Sequence, residues 1–126
     1  MRSPARLLPV LALVLAACGG TSGAQTDPLV ERGAALYEEK ACASCHSVDG
    51  SKLVGPTWKG LYGSEVELAD GSTVVADEVY LAESMLRPSA RTVDGYQEGL
   101  METVIKPNSL TQEEVEALTA YIESLS

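Results

Sequence analysis

The chain has 126 residues and a mass of 13.3 kDa, 45% apolar and 21% charged, with three cysteines. That is room for one small domain and a leader, and it excludes two full domains. Eighteen Asp and Glu against nine Lys and Arg give a formal charge of -9, and no Lys/Arg-rich run interrupts it, which excludes an electrostatic footprint for DNA or RNA. Phe is absent and Trp occurs once, so the aromatic mass that usually fills a core of this size is scarce, and something other than side chains is a candidate to fill it.

Arg2 and Arg6 precede an apolar run from Leu7 to Ala17, the length of a signal-peptide core and too short to span a bilayer as a mature helix. The run closes as Leu15-Ala16-Ala17-Cys18 with Gly19 and Gly20 next, which resembles the lipobox of bacterial lipoproteins. The resemblance implies that residues 1–17 are removed on export and that Cys18 is lipidated and holds the protein on a membrane. An ordinary signal peptide cut nearby would leave Cys18 as an exposed unpaired thiol, a liability in an oxidising compartment. Cleavage removes two bases and no acid, leaving 7 bases against 18 acids, a formal -11. Gly19 to Thr26 is small and polar, the composition of a tether, so residues 18–27 are read as anchor and linker and residues 28–126 as the folded domain.

Asp27-Pro28 reads as an N-cap followed by proline at the first helical position, and Val30, Ala34 and Tyr37 continue at helical spacing to about Lys40. Pro56 to Tyr62 reads as a shorter turn of helix between glycines. Val66 to Leu68 and Thr73 to Val75 flank Ala69-Asp70-Gly71-Ser72, a hairpin with an Asp-Gly turn. A helix from about Asp77 to Arg87 stops at Pro88. Thr111-Gln112-Glu113-Glu114 has the capping-box form, and Val115, Leu118, Tyr121, Ile122 and Leu125 recur at steps of three and four in a last helix. The expected fold is all-α with a small β-hairpin insertion.

The chemistry sits in Cys42-Ala43-Ser44-Cys45-His46, directly after the first helix. CxxCH is the spacing that attaches a c-type haem. Two thiols separated by two residues reach the vinyl groups on one edge of a porphyrin, and the next residue then presents its imidazole to the iron. His46 is the only histidine, which excludes bis-histidine ligation and any catalysis needing a second imidazole. A redox dithiol of the thioredoxin kind would want alternating strands and helices, which are not visible. A zinc site would want further Cys or His ligands, and a disulfide across two residues is strained and leaves His46 unexplained. One covalently attached haem c also answers the composition, since burying roughly 400 Å² of porphyrin at ~25 cal/mol per Å² is worth on the order of 10 kcal/mol.

An electron carrier usually holds its iron on both faces, and methionine opposite histidine raises the potential. Two methionines qualify. Met85 falls within the 77–87 helix at a spacing from Tyr80 and Leu81 that suits core packing. Met101 lies in an aperiodic, glycine-rich stretch able to wrap around the far haem face. Met101 is therefore assigned as the second ligand to the metal beside His46, with Met85 as the alternative.

Together GAALYEEKACASCHSVDGSKLVGPTWKGLYG, ADGSTVVADEVYLAESMLRP, VDGYQEGLM and LTQEEVEALTAYIESL, spanning about Val30 to Ser124, resemble class I cytochromes c. The likeness is greatest to the cytochrome c domains fused to subunit II of certain haem-copper oxidases. The resemblance implies a class I cytochrome c fold, with the N- and C-terminal helices crossed at Gly33 and Tyr37 near Leu118 and Tyr121 and the haem enclosed. It further implies that the Pro56 carbonyl accepts a hydrogen bond from the ring of His46, that Trp58 approaches a haem propionate, and that Met101 is the sixth ligand. Such domains usually follow that methionine with proline. Here Glu102 follows, which leaves the ligand loop less constrained.

The function these readings imply is that of an extracytoplasmic, lipid-anchored, monomeric electron carrier of a respiratory chain, with no enzymatic activity. The resemblance names a membrane quinol-oxidising complex as donor and a terminal oxidase as acceptor. The acidic surface implies partners with basic docking patches and association that slows as salt rises. Two other classes fit parts of the sequence: the haem subunit of a periplasmic dehydrogenase complex, and an open-site haem sensor or peroxidase if Met101 does not ligate.

Overall fold

A computed structural model describes residues 26–126; the expected signal peptide, Cys18 and most of the tether lie outside the described residues. Helix α1 spans Pro28–Glu39, and its first free N–H groups are met by Asp27, whose carboxylate accepts from the Leu29 N–H at 2.9 Å. Gly33, Leu36 and Tyr37 recur on one face and are buried, the spacing of an amphipathic helix. The helix ends at Lys40, after which Ala41 takes a left-handed conformation (φ +58°) and turns the chain sharply.

The hairpin forms as expected, with β1 (Glu65–Glu67) antiparallel to β2 (Thr73–Val75) and Val66 opposite Val74. Its loop closes through Gly71 N–H to the Leu68 carbonyl at 2.9 Å, and Gly71 takes φ +84°, where a side chain would be strained. The free side of β1 is covered by residues 92–94: Ala69 N–H donates to Thr92 and Asp94 N–H to the Glu67 carbonyl, each at 2.9 Å. Val66, Leu68 and Ala76 form a small second core beneath them.

Helix α2 spans Glu78–Leu86, capped by the Asp77 carboxylate on the Tyr80 N–H and buried through Leu81 and Met85. Glu83 holds Arg87 at 2.8 Å and Arg91 at 2.6 Å. Helix α3 spans Gln112–Ser124 and carries the expected capping box: Thr111 Oγ1 accepts from the Glu114 N–H, and the Glu114 carboxylate accepts from the Thr111 N–H. Val115, Leu118 and Ile122 are buried against α1 and α2.

The crossing of α1 with α3 organises the domain. A Cβ on Gly33 would lie 2.0 Å from the Ala117 carbonyl oxygen and 2.6 Å from the Tyr121 Cβ, so only glycine permits this approach. Lys40 at the end of α1 pairs with Glu114 at the start of α3 at 2.8 Å.

One expected element is absent. Residues 56–62 are not a turn of helix but an irregular strap. Its backbone donors find distant carbonyls: Trp58 N–H reaches Ser47 at 2.8 Å and Gly60 N–H reaches Leu125 at 3.0 Å. Gly60 and Gly63 take φ of +69° and +76°, outside the helical region. The glycines serve to bend the strap, so that it ties the haem-motif segment to the end of α3.

Glu114 joins a cap and an ion pair, and the hydrogen bond and charge of Lys40, followed by the Thr111 N–H, hold its carboxyl below the usual glutamate range. A depressed folded pKa gives stability that is present above the unfolded value of 4.5 and is lost as pH falls through the folded value. Glu114→Ala is expected to cost about 1 kcal/mol at pH 7. Denaturant titrations should show that deficit shrinking steadily below pH 4.5.

Candidate functional site

Immediately after Ala41, residues Cys42–Ser44 form a 3-10 turn that continues into a wider loop, with the His46 N–H on the Cys42 carbonyl at 2.9 Å. One short turn thus carries Cys42, Cys45 and His46. Both thiols are half-buried and are not joined to each other. Burial pushes the Cys42 thiol up to about 11, the reverse of the lowered pKa that an exchange-active dithiol requires.

His46 is fixed from several sides. Its Nδ1 lies 2.7 Å from the Pro56 carbonyl oxygen; a carbonyl only accepts, so Nδ1 carries the proton and Nε2 keeps a free lone pair. Burial lowers the pKa of the ring, and the Pro56 hydrogen bond only partly offsets it, so the imidazole is neutral at pH 7, as a metal ligand must be. Gly55 backs the ring: a Cβ there would meet His46 Cε1 at 2.8 Å. The Tyr37 hydroxyl donates to the His46 backbone carbonyl. Trp58 lies 5.4 Å from the His46 ring and 5.0 Å from that of Tyr37. Ser47, buried beside His46, donates its hydroxyl to the Ser51 carbonyl and is hydrogen-bonded to the Thr57 hydroxyl, which ties the strap to the same segment.

These groups face a largely apolar cavity of about 540 Å³, within the size range of cofactor sites, roughly 300–1,000 Å³. Cys42, Cys45, His46, Pro56, Trp58 and Met101 all line it. Met85 lines it too, although its side chain is almost wholly buried in the main core, whereas Met101 is half-exposed at the head of a 3-10 turn, Met101–Thr103. Leu81, Ile105, Leu118 and Ile122 complete its apolar wall. Two thiols and a neutral imidazole from one turn, facing a broad apolar slot with thioether sulfurs in its lining, suit a flat apolar group bonded through two sulfurs and bearing a metal at its centre. The donor set fits such a group.

The Tyr37 hydroxyl and Gly55 were not singled out in the sequence as supports of His46. Gly55-Pro56 is the signal that could have found the second, since a Gly-Pro pair brings backbone close and aims a carbonyl.

A family model described as Cytochrome c matches residues 30–126. The chain is 29% identical over 119 residues to cytochrome c-551 of Stutzerimonas stutzeri, covering 94% of this chain and 95% of that protein. Its fold matches cytochrome cH from Methylobacterium extorquens with a TM-score of 0.54 at 20% identity, over 75% of this chain and 97% of that one. It also matches the ferricytochrome c2 from Rhodopseudomonas palustris with a TM-score of 0.52 at 15% identity, over 77% and 98%.

Proposed function

The chain belongs to the cytochrome c family, with a class I fold, covalently attached haem c and the role of an electron carrier, and from that premise we propose how its own residues serve that role and where it works. Cys42 and Cys45 would form the two thioether links, and His46 Nε2 and the Met101 sulfur would hold the iron. When bound, the haem iron supplies a one-electron couple that needs no substrate and makes no bonds. The protein's part would be to keep the iron held by both ligands and the slot dry. Pro56 fixes the tautomer and orientation of His46, raising its basicity as a carbonyl partner does. Gly55 and Tyr37 prevent the ring and its backbone from shifting, and Trp58, whose ring lies 5.4 Å from that of His46, would approach a haem propionate.

The single observation that carries this reading is the placing of Cys42, Cys45 and a tautomerically fixed His46 on one wall of the apolar cavity. Met101 is preferred to Met85 because its sulfur comes from a half-exposed turn, while Met85 is packed into the core. A redox-titrated optical spectrum of the holoprotein tests it. Met101→Ala is expected to lose the far-red sulfur-to-iron band and to lower the midpoint potential sharply, whereas Met85→Ala should keep the band. The opposite pattern would move the ligand to Met85.

We further place the protein outside the cytoplasm, held on a membrane through lipidated Cys18, as a monomeric, non-enzymatic carrier of a respiratory chain. A quinol-oxidising complex is the donor and a terminal oxidase the acceptor. The excess of acids over bases supports docking to basic patches on those complexes.

A further inference from the structure

We propose that Ser89 and Glu102 are positioning residues for Met101, and that their hydrogen bond sets how readily Met101 releases the iron; this rests on the reading of Met101 as the second axial ligand. Met101 heads a turn of three residues, closed locally by Val104 and Ile105 N–H groups on the Met101 carbonyl at 3.1 and 2.9 Å. A turn so short has little stability of its own. The approach to it bends at Gly95 and Gly99, both at positive φ, and the exit is pinned only at Asn108, whose N–H reaches the Leu86 carbonyl at 2.8 Å. Among the described residues, one hydrogen bond joins residues 97–107 to another part of the chain: the Ser89 hydroxyl donates to the Glu102 carboxylate.

The Ser89 end of that bond is itself held. Ser89 lies between Arg87 and Arg91, and Glu83 of α2 grips both guanidinium groups, at 2.8 and 2.6 Å. The Ala90 N–H closes the same bend on the Arg87 carbonyl at 2.9 Å. A bracket built on α2 therefore reaches across to the residue next to Met101. Lys106 adds a bond from its ammonium to the Glu102 backbone carbonyl at 3.1 Å, which steadies the far side of the turn. Buried Ile105 supplies the apolar anchor, but a single side chain packed in a core leaves the turn free to pivot about it. Neither Ser89 nor Glu102 lines the cavity, so removing their bond frees the sulfur without altering the cavity wall.

The test uses the ferric holoprotein and added imidazole at saturating concentration, where capture is limited by departure of the methionine and read as decay of the far-red band. Ser89→Ala and Glu102→Ala are each expected to speed capture about tenfold, the loss of one hydrogen bond to a charged group. The double variant should be no faster than either single one, because both remove the same bond. Glu102→Gln, whose neutral amide oxygen still accepts but more weakly, should fall between the parent and Glu102→Ala. Glu114→Ala, which destabilises the fold elsewhere, should leave the rate unchanged. The proposal is overturned if the single variants match the parent, if their effects multiply in the double variant, or if Glu114→Ala accelerates capture equally. A far-red band that survives Met101→Ala would instead remove the ligand reading itself, and the proposal with it, whatever Ser89 does.

Discussion

A chain carrying Cys42→Ala together with Cys45→Ala is expected to leave a haem-competent periplasm without covalent haem and without a cooperative fold. The two thiols lie on the turn that presents His46, and among the described residues no other cysteine lines the cavity. The cavity walls include Leu81, Ile105, Leu118, Ile122 and two methionines, drawn from α2, α3 and the segments between them, and these side chains face the central space as well as packing on one another. Leaving it to water forfeits apolar burial worth on the order of 10 kcal/mol, comparable with the whole stability of a domain this size, about 5–15 kcal/mol. A haem stain after denaturing electrophoresis reads the attachment, and a far-ultraviolet circular dichroism melt reads the fold. Covalent haem retained in the double variant would refute the assigned thioethers, and a sharp cooperative melt of colourless protein would refute the cofactor's share in the core.

What could be read in the sequence was what is local. Asp27-Pro28, Asp77 and the Thr111-to-Glu114 box each cap their own helix within three residues, so the three helices stand in the structure almost at their expected bounds. The CxxCH pentapeptide holds both thiols and the imidazole in one turn, and is legible for the same reason. Contacts that close over longer stretches were not. The strap at residues 56–62 has the glycines of a helix boundary on both sides, but its donors are satisfied by Ser47 and Leu125, partners that no spacing rule connects to it. The pairing of His46 with Pro56 and the approach at Gly33 came from family resemblance rather than periodicity, since each depends on two segments meeting in space. The Tyr37 hydroxyl on the His46 carbonyl and the Ser89 bond to Glu102 had no sequence signal at all. Glu102 in particular reads as a solvated acid, and the expectation of a loosely held ligand loop changes once that bond is seen.

Gly33→Ala is the second large effect, and two forces of opposite sign decide it. Alanine is the better helix former by about 1 kcal/mol, so at an ordinary helical site the change would stabilise α1. At Gly33 the added Cβ would lie 2.0 Å from the Ala117 carbonyl oxygen and 2.6 Å from the Tyr121 Cβ, and ordinary contact needs roughly 3.5 Å or more. Neither obstacle is the tip of a flexible side chain, so no rotamer relieves it and α1 must move bodily away from α3. That motion pulls Tyr37 from Tyr121, now 5.9 Å apart, and disturbs Trp58, 5.0 Å from Tyr37. It also loosens the Tyr37 hydroxyl from the His46 carbonyl, so the damage reaches the residue proposed to hold the iron. Overpacking of this kind costs about 3 kcal/mol or more, which exceeds the propensity gain and corresponds to a fall in Tm of roughly 10–20 °C. Ala35→Gly, on the exposed face of the same helix, is the control: it should lose only the propensity term, about 1 kcal/mol. Thermal melts of the two holoprotein variants therefore separate the effects, because a helix governed by propensity alone would rank Gly33→Ala above the parent and a helix governed by the crossing must rank it far below Ala35→Gly.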